Sequence, residues 1–510
     1  MRHSSIAAIC LIVAFCLQAV LALPRLSATS DEAVHLASGY SYWQTCDFRM
    51  NPEHPPLAKL IAALPLLIIR PKLKTSSAVW NAASEYEFGF DFMYTNDADR
   101  LLFWGRIMMV VLAVAGAAIT FVWARDLFGP AAGLLALGLY AFSPNLLAHG
   151  MLITTDVPVT VFTVLTLYLF WRHHPDPRWS SSVVTGVALG AAMASKYSGG
   201  LLPLLITALA MVRVVLQPNR KEALVREIRS LVIMAGAALL VIEGSYLFAV
   251  SPLTYFRNAA TVNTNHSPSY EYYLLGRLKQ GGWWYYFLVA FIFKATLTTL
   301  ILTALAAVRA FSGFIDRAGE IILLTGIGFY LVVMSAGAND LGIRYLLPIF
   351  PLLFIWISRI APDYWANRIG RAVIVILFAW QVWAALSTFP NYIPFFNELA
   401  GGAGRGPDIL DDSNVDWGQA LKQAAVYVRE NGIQNVAVCS FSPFDNPPHY
   451  GLPPNLLPPE MMERVLYKSP EPGTYIISAH YVARMKMVDP AWRSYRPVER
   501  IGESLWVYRF

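Results

Sequence analysis

Charge is scarce in this 510-residue chain: Asp, Glu, Lys and Arg together make up 14%, against about a quarter in ordinary soluble domains. That scarcity excludes a string of soluble domains, a disordered chain and a basic nucleic-acid-binding protein. Cysteine is sparse too. Four cysteines build no disulfide framework, and without a CxxC pair neither zinc binding nor dithiol redox work is suggested. Cys10 and Cys16 lie in an apolar run as small packing residues, and nothing in the spacing pairs Cys46 with Cys439. There is no Walker loop, GxGxxG or HExxH, so nucleotide-driven work and zinc proteolysis lack support. No internal repeat of fixed period and no low-complexity tract occurs.

What is abundant is apolar: the AVILMFWYC set reaches 56%. A hydrocarbon layer about 30 Å thick needs roughly 20 apolar residues per helical crossing. Runs near that length fall at 5–23, 102–124, 131–148, 151–171, 181–195, 199–216, 230–250, 284–308, 319–336, 343–360 and 370–389, predicting about eleven spans. The run 57–69 is too short to cross and is broken by Pro65, so it reads as a helix lying in the interface. Lys and Arg in short loops set orientation. Arg213, Arg220, Lys221, Arg226 and Arg229 share one side with Arg125, Arg172, Arg178, Arg309, Arg317, Arg359, Arg368 and Arg371, while the alternate short loops hold only Lys196 and Arg344. The basic side is therefore cytoplasmic, which puts the N-terminus inside and the C-terminus outside. The first 23 residues also resemble a signal peptide, with Ala22 as the small residue, and an uncleaved first span is the favoured expectation.

The expected fold class is thus an α-helical polytopic membrane protein with a small C-terminal extracytoplasmic α/β domain. Residues 1–390 form the membrane domain, with external loops 24–101 (carrying the interfacial helices) and 251–283, and 391–510 form the external domain. Within the latter a helical stretch at 417–430 alternates with strand-like runs at 435–441, 474–482 and 504–508.

Candidate chemistry gathers on the external side. Thr29, Asp31 and Glu32 fit a capped helix start, and equally a general base on a pre-organised helix end, with Asp31 and His35 on one face. Asn51-Pro52-Glu53-His54-Pro55-Pro56 precedes Lys59. It is either a polar turn opening a helix or a rim where an anion or metal meets Glu53 and His54. Asp156, five residues into an apolar run, needs a watery cavity or a partner; Thr154 or Thr155 would serve as the latter. Lys196 and Arg344 sit at external helix junctions, either snorkelling or holding phosphate. Glu243 and Lys294 lie inside apolar runs with no spacing argument for a role. His266 is a metal or phosphate candidate, and the aromatics from Tyr270 to Tyr286 suit an interfacial belt or a sugar platform.

Taken in order, Asp31-Glu32, Asn51 to Pro56, Thr155-Asp156, Ala194-Ser195-Lys196-Tyr197, His266-Ser267-Pro268, Arg344-Tyr345-Leu346-Leu347-Pro348 and Asp412 to Gly418 resemble the GT-C membrane glycosyltransferases of the bacterial family 39 type. Relatives there include protein O-mannosyltransferases and the aminoarabinose transferases that modify lipid A. The resemblance implies a sugar carried on a polyprenyl phosphate and transferred with inversion to a protein, lipid or glycan acceptor at the outer face of a bacterial inner membrane. It makes Asp31 the base, supported by Glu32 or Asp156, and Lys196, Arg344 and Lys59 the cations for the departing phosphate. A Glu-Lys-Pro-Pro segment of the aminoarabinose relatives reads Glu53-His54-Pro55-Pro56 here, so the lysine contact does not carry over. Glu53 with His266 is the implied metal pair, should a divalent ion be used; no other cofactor is expected, and membrane lipids but no nucleic acid are the remaining partners. The competing readings are a polytopic transporter or lipid flippase, whose polar groups would sit at midplane between inverted repeats, and a non-catalytic scaffold binding a partner through its external domain.

Overall fold

In the computed structural model, residues 2–173, 178–262, 269–465 and 470–510 are described. Apolar sequence sets the helices, and local polar residues end or bend them. Asp97 accepts from Arg100 N to start the 31-residue helix Ala98–Phe128, which stops at Gly129 in a conformation with φ +93°. At 1.5 Å per residue this helix is about 46 Å long, more than enough to cross. By length and apolar composition five helices can cross: Ser4–Arg25, Ala98–Phe128, Tyr197–Leu216, Arg317–Gly337 and Arg368–Thr388. Two bent pairs, Pro130–Ala141 with Pro144–Gly150 (63°) and Tyr286–Lys294 with Leu297–Ala310 (109°), raise that to seven. The eleven expected spans are not confirmed by this measure.

The bends have a local cause. Ser143 accepts from Leu146 N ahead of Pro144, and Thr296 Oγ1 accepts from Thr299 N at 3.2 Å, so each pair restarts on an internal cap. Lys294, at the second bend, buries its ammonium on the carbonyls of Ile393 (2.6 Å) and Asn414 (2.8 Å). The helices Asp156–Arg172 and Trp179–Ser195 have 17 residues each. The latter packs closely on Arg220–Ser245 because Gly186 and Gly190 present no side chain. A Cβ at either would meet the backbone of Met234 or Ala238. The run 343–360 forms a short helix Ile349–Ile357, buried throughout its length.

Between the first two long helices, Ser30–Thr45 folds over Leu57–Ala63, and the chain breaks at Pro65 before Leu66–Ile69. The later loop carries a helix Thr254–Thr261 and a hairpin of strands β1 (Glu271–Leu274) and β2 (Arg277–Gln280). The C-terminal sheet comprises β3 (Val436–Cys439), β4 (Thr474–Ser478), β5 (Glu499–Ile501) and β6 (Leu505–Arg509), in the order β3-β4-β6-β5. The β3/β4 pair is parallel and the others are antiparallel. Val438, Ile476 and Val507 face helix Leu421–Glu430, whereas Tyr475, Trp506 and Tyr508 face Trp492 on the other side.

Two boundaries differ from the sequence expectation. The strand expected to reach residue 482 stops at Ser478, whose hydroxyl accepts from His480 N and begins helix Ala479–Val488. The helix expected from 417 begins at Leu421, because Trp417, Gly418 and Gln419 use their carbonyls on Ser30 N, Ser27 Oγ and Ser27 N.

Candidate active site

A cavity of about 570 Å³ opens where helix Ser30–Thr45, the Asn51–His54 turn (residues 51–54), the start of Asp156–Arg172, the Lys196 junction and the end of Arg317–Gly337 meet. Asp31, Glu53, His54, Asp156, Lys196 and Arg344 all line it, as does His35. Apolar side chains complete the lining: Leu201, Val262, Val333, Met334, Ala338 and Leu341.

Each ion is delivered by a local device. Asp31 lies in the first turn of its helix, where the macrodipole favours a carboxylate, and Asp156 does the same on its own helix. Lys196 ends helix Trp179–Ser195 in extended backbone, and its Nζ reaches Asp156 Oδ1 at 2.6 Å. Arg344 sits in a short turn, Ile343–Leu346, and stands 3.3 Å from Asp31 Oδ2 and 4.0 Å from Asp156 Oδ2. Its guanidinium lies 4.3 Å from the Trp417 ring and Lys196 Nζ lies 4.4 Å from the Tyr345 ring, contacts that hold the cations without neutralising them. Among the described residues three buried polar atoms at the cavity carry no hydrogen bond, Asp156 Oδ2, Arg344 Nε and Thr154 Oγ1, and His149 Nδ1, outside the lining, is a fourth. Buried polar groups are normally satisfied, so the site holds unused donors and acceptors. Asp31 is the more open acid, its side chain 21% exposed against 2% for Asp156.

The remaining expected site residues divide between rim and frame. Lys59 does not line the cavity. It is buried with Nζ within hydrogen-bonding distance of Asn51 O (2.8 Å), His54 O (2.8 Å) and the Tyr42 hydroxyl (2.9 Å), so it holds the turn that bears Glu53 and His54. Burial lowers its ammonium to about 7. Asn51 also donates to Glu85, whose carboxyl is pushed up to about 7 by burial and by a hydrogen bond and repulsion from Glu53. Burial, reinforced by His35 and by the cations Lys59, Lys196 and Arg344, holds His54 well below the usual imidazole range. His35 is lowered too, mainly by burial; since the Ile153 carbonyl at 2.8 Å can only accept, its Nδ1 carries the proton.

Glu32 is absent from the cavity lining. It is wholly buried, paired with Arg106 at 2.6 Å, accepting from Thr29 N (2.8 Å) and Ile153 N (3.0 Å), and completing the capping box with Thr29. Its structural environment is that of a cap and a buried ion pair, a geometry unlike the catalytic assignment. Arg106 escaped sequence reasoning, although an arginine well inside an apolar helix is a signal in itself. Trp417 was noted only as part of a motif; its ring position over Arg344 required the fold. His266 lies outside the described residues, so the Glu53 and His266 metal pair is not visible. Among the described residues no group of three or more His, Cys, Asp and Glu could hold a metal ion.

The segment 412–418 ties these parts together. Asn414 Oδ1 accepts from Ile343 N at 3.0 Å and Ser413 Oγ donates to Leu341 O at 2.6 Å, fixing the turn that bears Arg344. Trp417 O accepts from Ser30 N at 3.0 Å, one residue before Asp31.

Residues 99–246 match the family described as dolichyl-phosphate-mannose-protein mannosyltransferase. No curated protein matches the chain. Among solved structures, ArnT from Cupriavidus metallidurans in the apo state is similar with TM-score 0.53 and 14% identity, over 98% of this chain and 97% of its own. The same protein bound to undecaprenyl phosphate gives 0.52 and 15%, again over 98% and 97%. An oligosaccharyltransferase of Archaeoglobus fulgidus in the apo form is similar at 0.49 and 13%, over 84% of this chain and 58% of its own. The chain has the ArnT fold along nearly its whole length, and the resemblance to the GT-C membrane glycosyltransferases read from its motifs holds at the level of fold.

Proposed function

We propose that the protein is a membrane glycosyltransferase that moves a sugar from a polyprenyl-phosphate carrier to an acceptor hydroxyl, with inversion, at the outer face of a bacterial inner membrane. The observation that carries this reading is a single cavity whose lining combines three carboxylates, Asp31, Glu53 and Asp156, with the cations Lys196 and Arg344 and with apolar side chains. An amphipathic donor needs both polar and apolar contacts, and the similarity to a structure solved with undecaprenyl phosphate supports the same donor class here. Asp31 takes the proton of the acceptor hydroxyl. The oxygen attacks the anomeric carbon, the bond from that carbon to the phosphate oxygen breaks, and the electron pair leaves on the phosphate. A phosphate departs readily, so no second carboxylic acid is needed to protonate it. Arg344 and Lys196 hold its charge, with Asp156 orienting both cations.

Arg344 stands 3.3 Å from Asp31, so a donor phosphate that takes the guanidinium leaves Asp31 to the acceptor. The transporter or flippase reading is disfavoured because the ions sit at helix ends rather than mid-helix. A transfer assay with polyprenyl-phosphate sugars tests the proposal. Asp31→Asn is expected to lose about two to four orders of magnitude in turnover, the usual contribution of a positioned base; full activity in that variant would remove Asp31 from the role.

A further inference from the structure

A second cavity, of about 650 Å³, lies between the β1/β2 hairpin, the stretch 404–408 and the C-terminal sheet. Five cations line it, Arg405, Lys486, Arg493, Arg496 and Arg500, against one carboxylate, Asp408. Lys486 is paired with Asp408 at 2.8 Å; among the described residues the four arginines have no carboxylate within ion-pairing distance. Lys486 Nζ and the Arg500 guanidinium stand 5.2 and 4.8 Å from the Trp506 ring centroid. The indole thus organises two cations. Gly404 makes room for Arg500, because a Cβ there would collide with the guanidinium.

We propose that this cavity binds a phosphomonoester-bearing group. Five cations around one acid leave an excess of four positive charges, a field that favours an anion among them even though the four arginines are exposed. A single carboxylate would offset only one of these, whereas a phosphomonoester carries close to two negative charges and offers three oxygens to arginine forks, the geometry those forks match. The cavity volume exceeds that of one phosphate, so the phosphate is borne on a larger body. Strand β1 partitions this site from the candidate active site. Tyr272 donates to Asn339, which lines the first cavity, while Tyr273, pointing the opposite way along the strand, lines the second. The two cavities are one strand apart, and this second site stands whether or not the transferase reading does.

Two sources supply this chemistry, a soluble phosphosugar and a phospholipid headgroup. The test uses the full chain in detergent with glucose 6-phosphate, and in nanodiscs of phosphatidylcholine with or without phosphatidic acid. Wild type is expected to bind one probe or the other, and salt should weaken that binding. Binding in detergent assigns a soluble phosphosugar; binding only in phosphatidic-acid discs assigns a headgroup. Arg493→Ala with Arg496→Ala, both on exposed side chains, should weaken binding at least tenfold at an unchanged thermal midpoint. Asp408→Ala, which removes the only acid in the lining, should tighten it at least twofold. Asp31→Asn should leave it as in wild type, which separates failure here from failure of the transferase reading. Binding of neither probe, or equal binding by wild type and the double arginine variant, overturns the proposal.

Discussion

The two ends of the helical bundle use the same ionic residues to opposite effect. At the end away from the C-terminal sheet, three acids among the described residues are each matched to arginine, although Glu320 Oε2 and Arg359 Nε also lack a hydrogen bond. Glu320 meets Arg359 at 2.6 Å with both side chains fully buried, Glu227 faces Arg213 at 4.0 Å, and Asp126 is shared by Arg172 (2.8 Å) and Arg125 (2.7 Å). At the end that carries the sheet, Arg344 is divided between two acids across open volume, and Asp156 Oδ2 is left without a hydrogen bond. The contrast is sharpest between neighbours in sequence. Glu32 is locked to Arg106 behind helix Ser30–Thr45, whereas Asp31, one position earlier, faces the cavity. An ion pair that fills its space is structural; one that borders empty space retains capacity for a ligand.

Breaking this contrast should show most strongly in activity. Asp31→Asn is expected to abolish nearly all transfer while leaving the thermal midpoint within error, since its contact with Arg344 is at 3.3 Å and partly solvated. Arg106→Met should do the reverse. Stranding the buried Glu32 carboxylate costs about 3–5 kcal/mol, and adding Glu32→Gln should recover part of it, because loss of both charges is tolerated better than loss of one. Thermal unfolding of the two variants in the same detergent measures both. Trp417→Leu tests whether the cavity cations are held by more than their acids. Loss of the ring over Arg344 is worth about 0.5–2 kcal/mol and should appear as a raised donor KM, three- to thirtyfold, together with a lowered thermal midpoint because leucine leaves a cavity where the indole is buried.

The smallest effect concerns pH. Glu85 titrates near 7 in the folded chain because of burial and the adjacent Glu53, well above its ordinary value. The folded state therefore holds that proton more tightly than the unfolded chain. The stability this provides is complete below about pH 4.5 and is lost as pH rises through 7. Lys59, lowered to about 7, acts in the opposite direction, its share growing from pH 7 upward. Between pH 5 and 7 this loss runs against the gain from His35 and His54, which fold with lowered imidazole values. Glu85→Gln should therefore make the thermal midpoint rise more steeply, or fall less steeply, with pH than in wild type; an unchanged slope would remove Glu85 from the pH dependence.

The sequence disclosed which residues are anomalous but not how their partners arrange them. Asp156, Lys196 and Arg344 stood out because ions at the ends of apolar runs need an explanation, and they share one cavity. Asp31 and Glu32 could not be separated, because the difference depends on Arg106, 74 residues further on. Lys59 reads as a phosphate cation through the family resemblance, yet the fold buries it beneath the Asn51 turn. The count of spans stays unconfirmed, and Ser143 and Thr296 show one reason, since they restart helices inside apolar runs and hydropathy averages over such bends. In the C-terminal region the strand at 474 was legible from β-branched and aromatic residues, but its end at Ser478 was set by a cap rather than by hydropathy.

One consequence follows from the segment 412–418. It bonds on one side to the residue before Asp31 and on the other to the turn that bears Arg344. The segment acts as a jig, setting the gap between two groups that lie 313 positions apart in the chain. A chain cut ahead of it would keep Asp31, Asp156, Lys196 and Arg344 and lose the spacing between them. The C-terminal region is in this sense the gauge of the membrane site rather than an attachment to it.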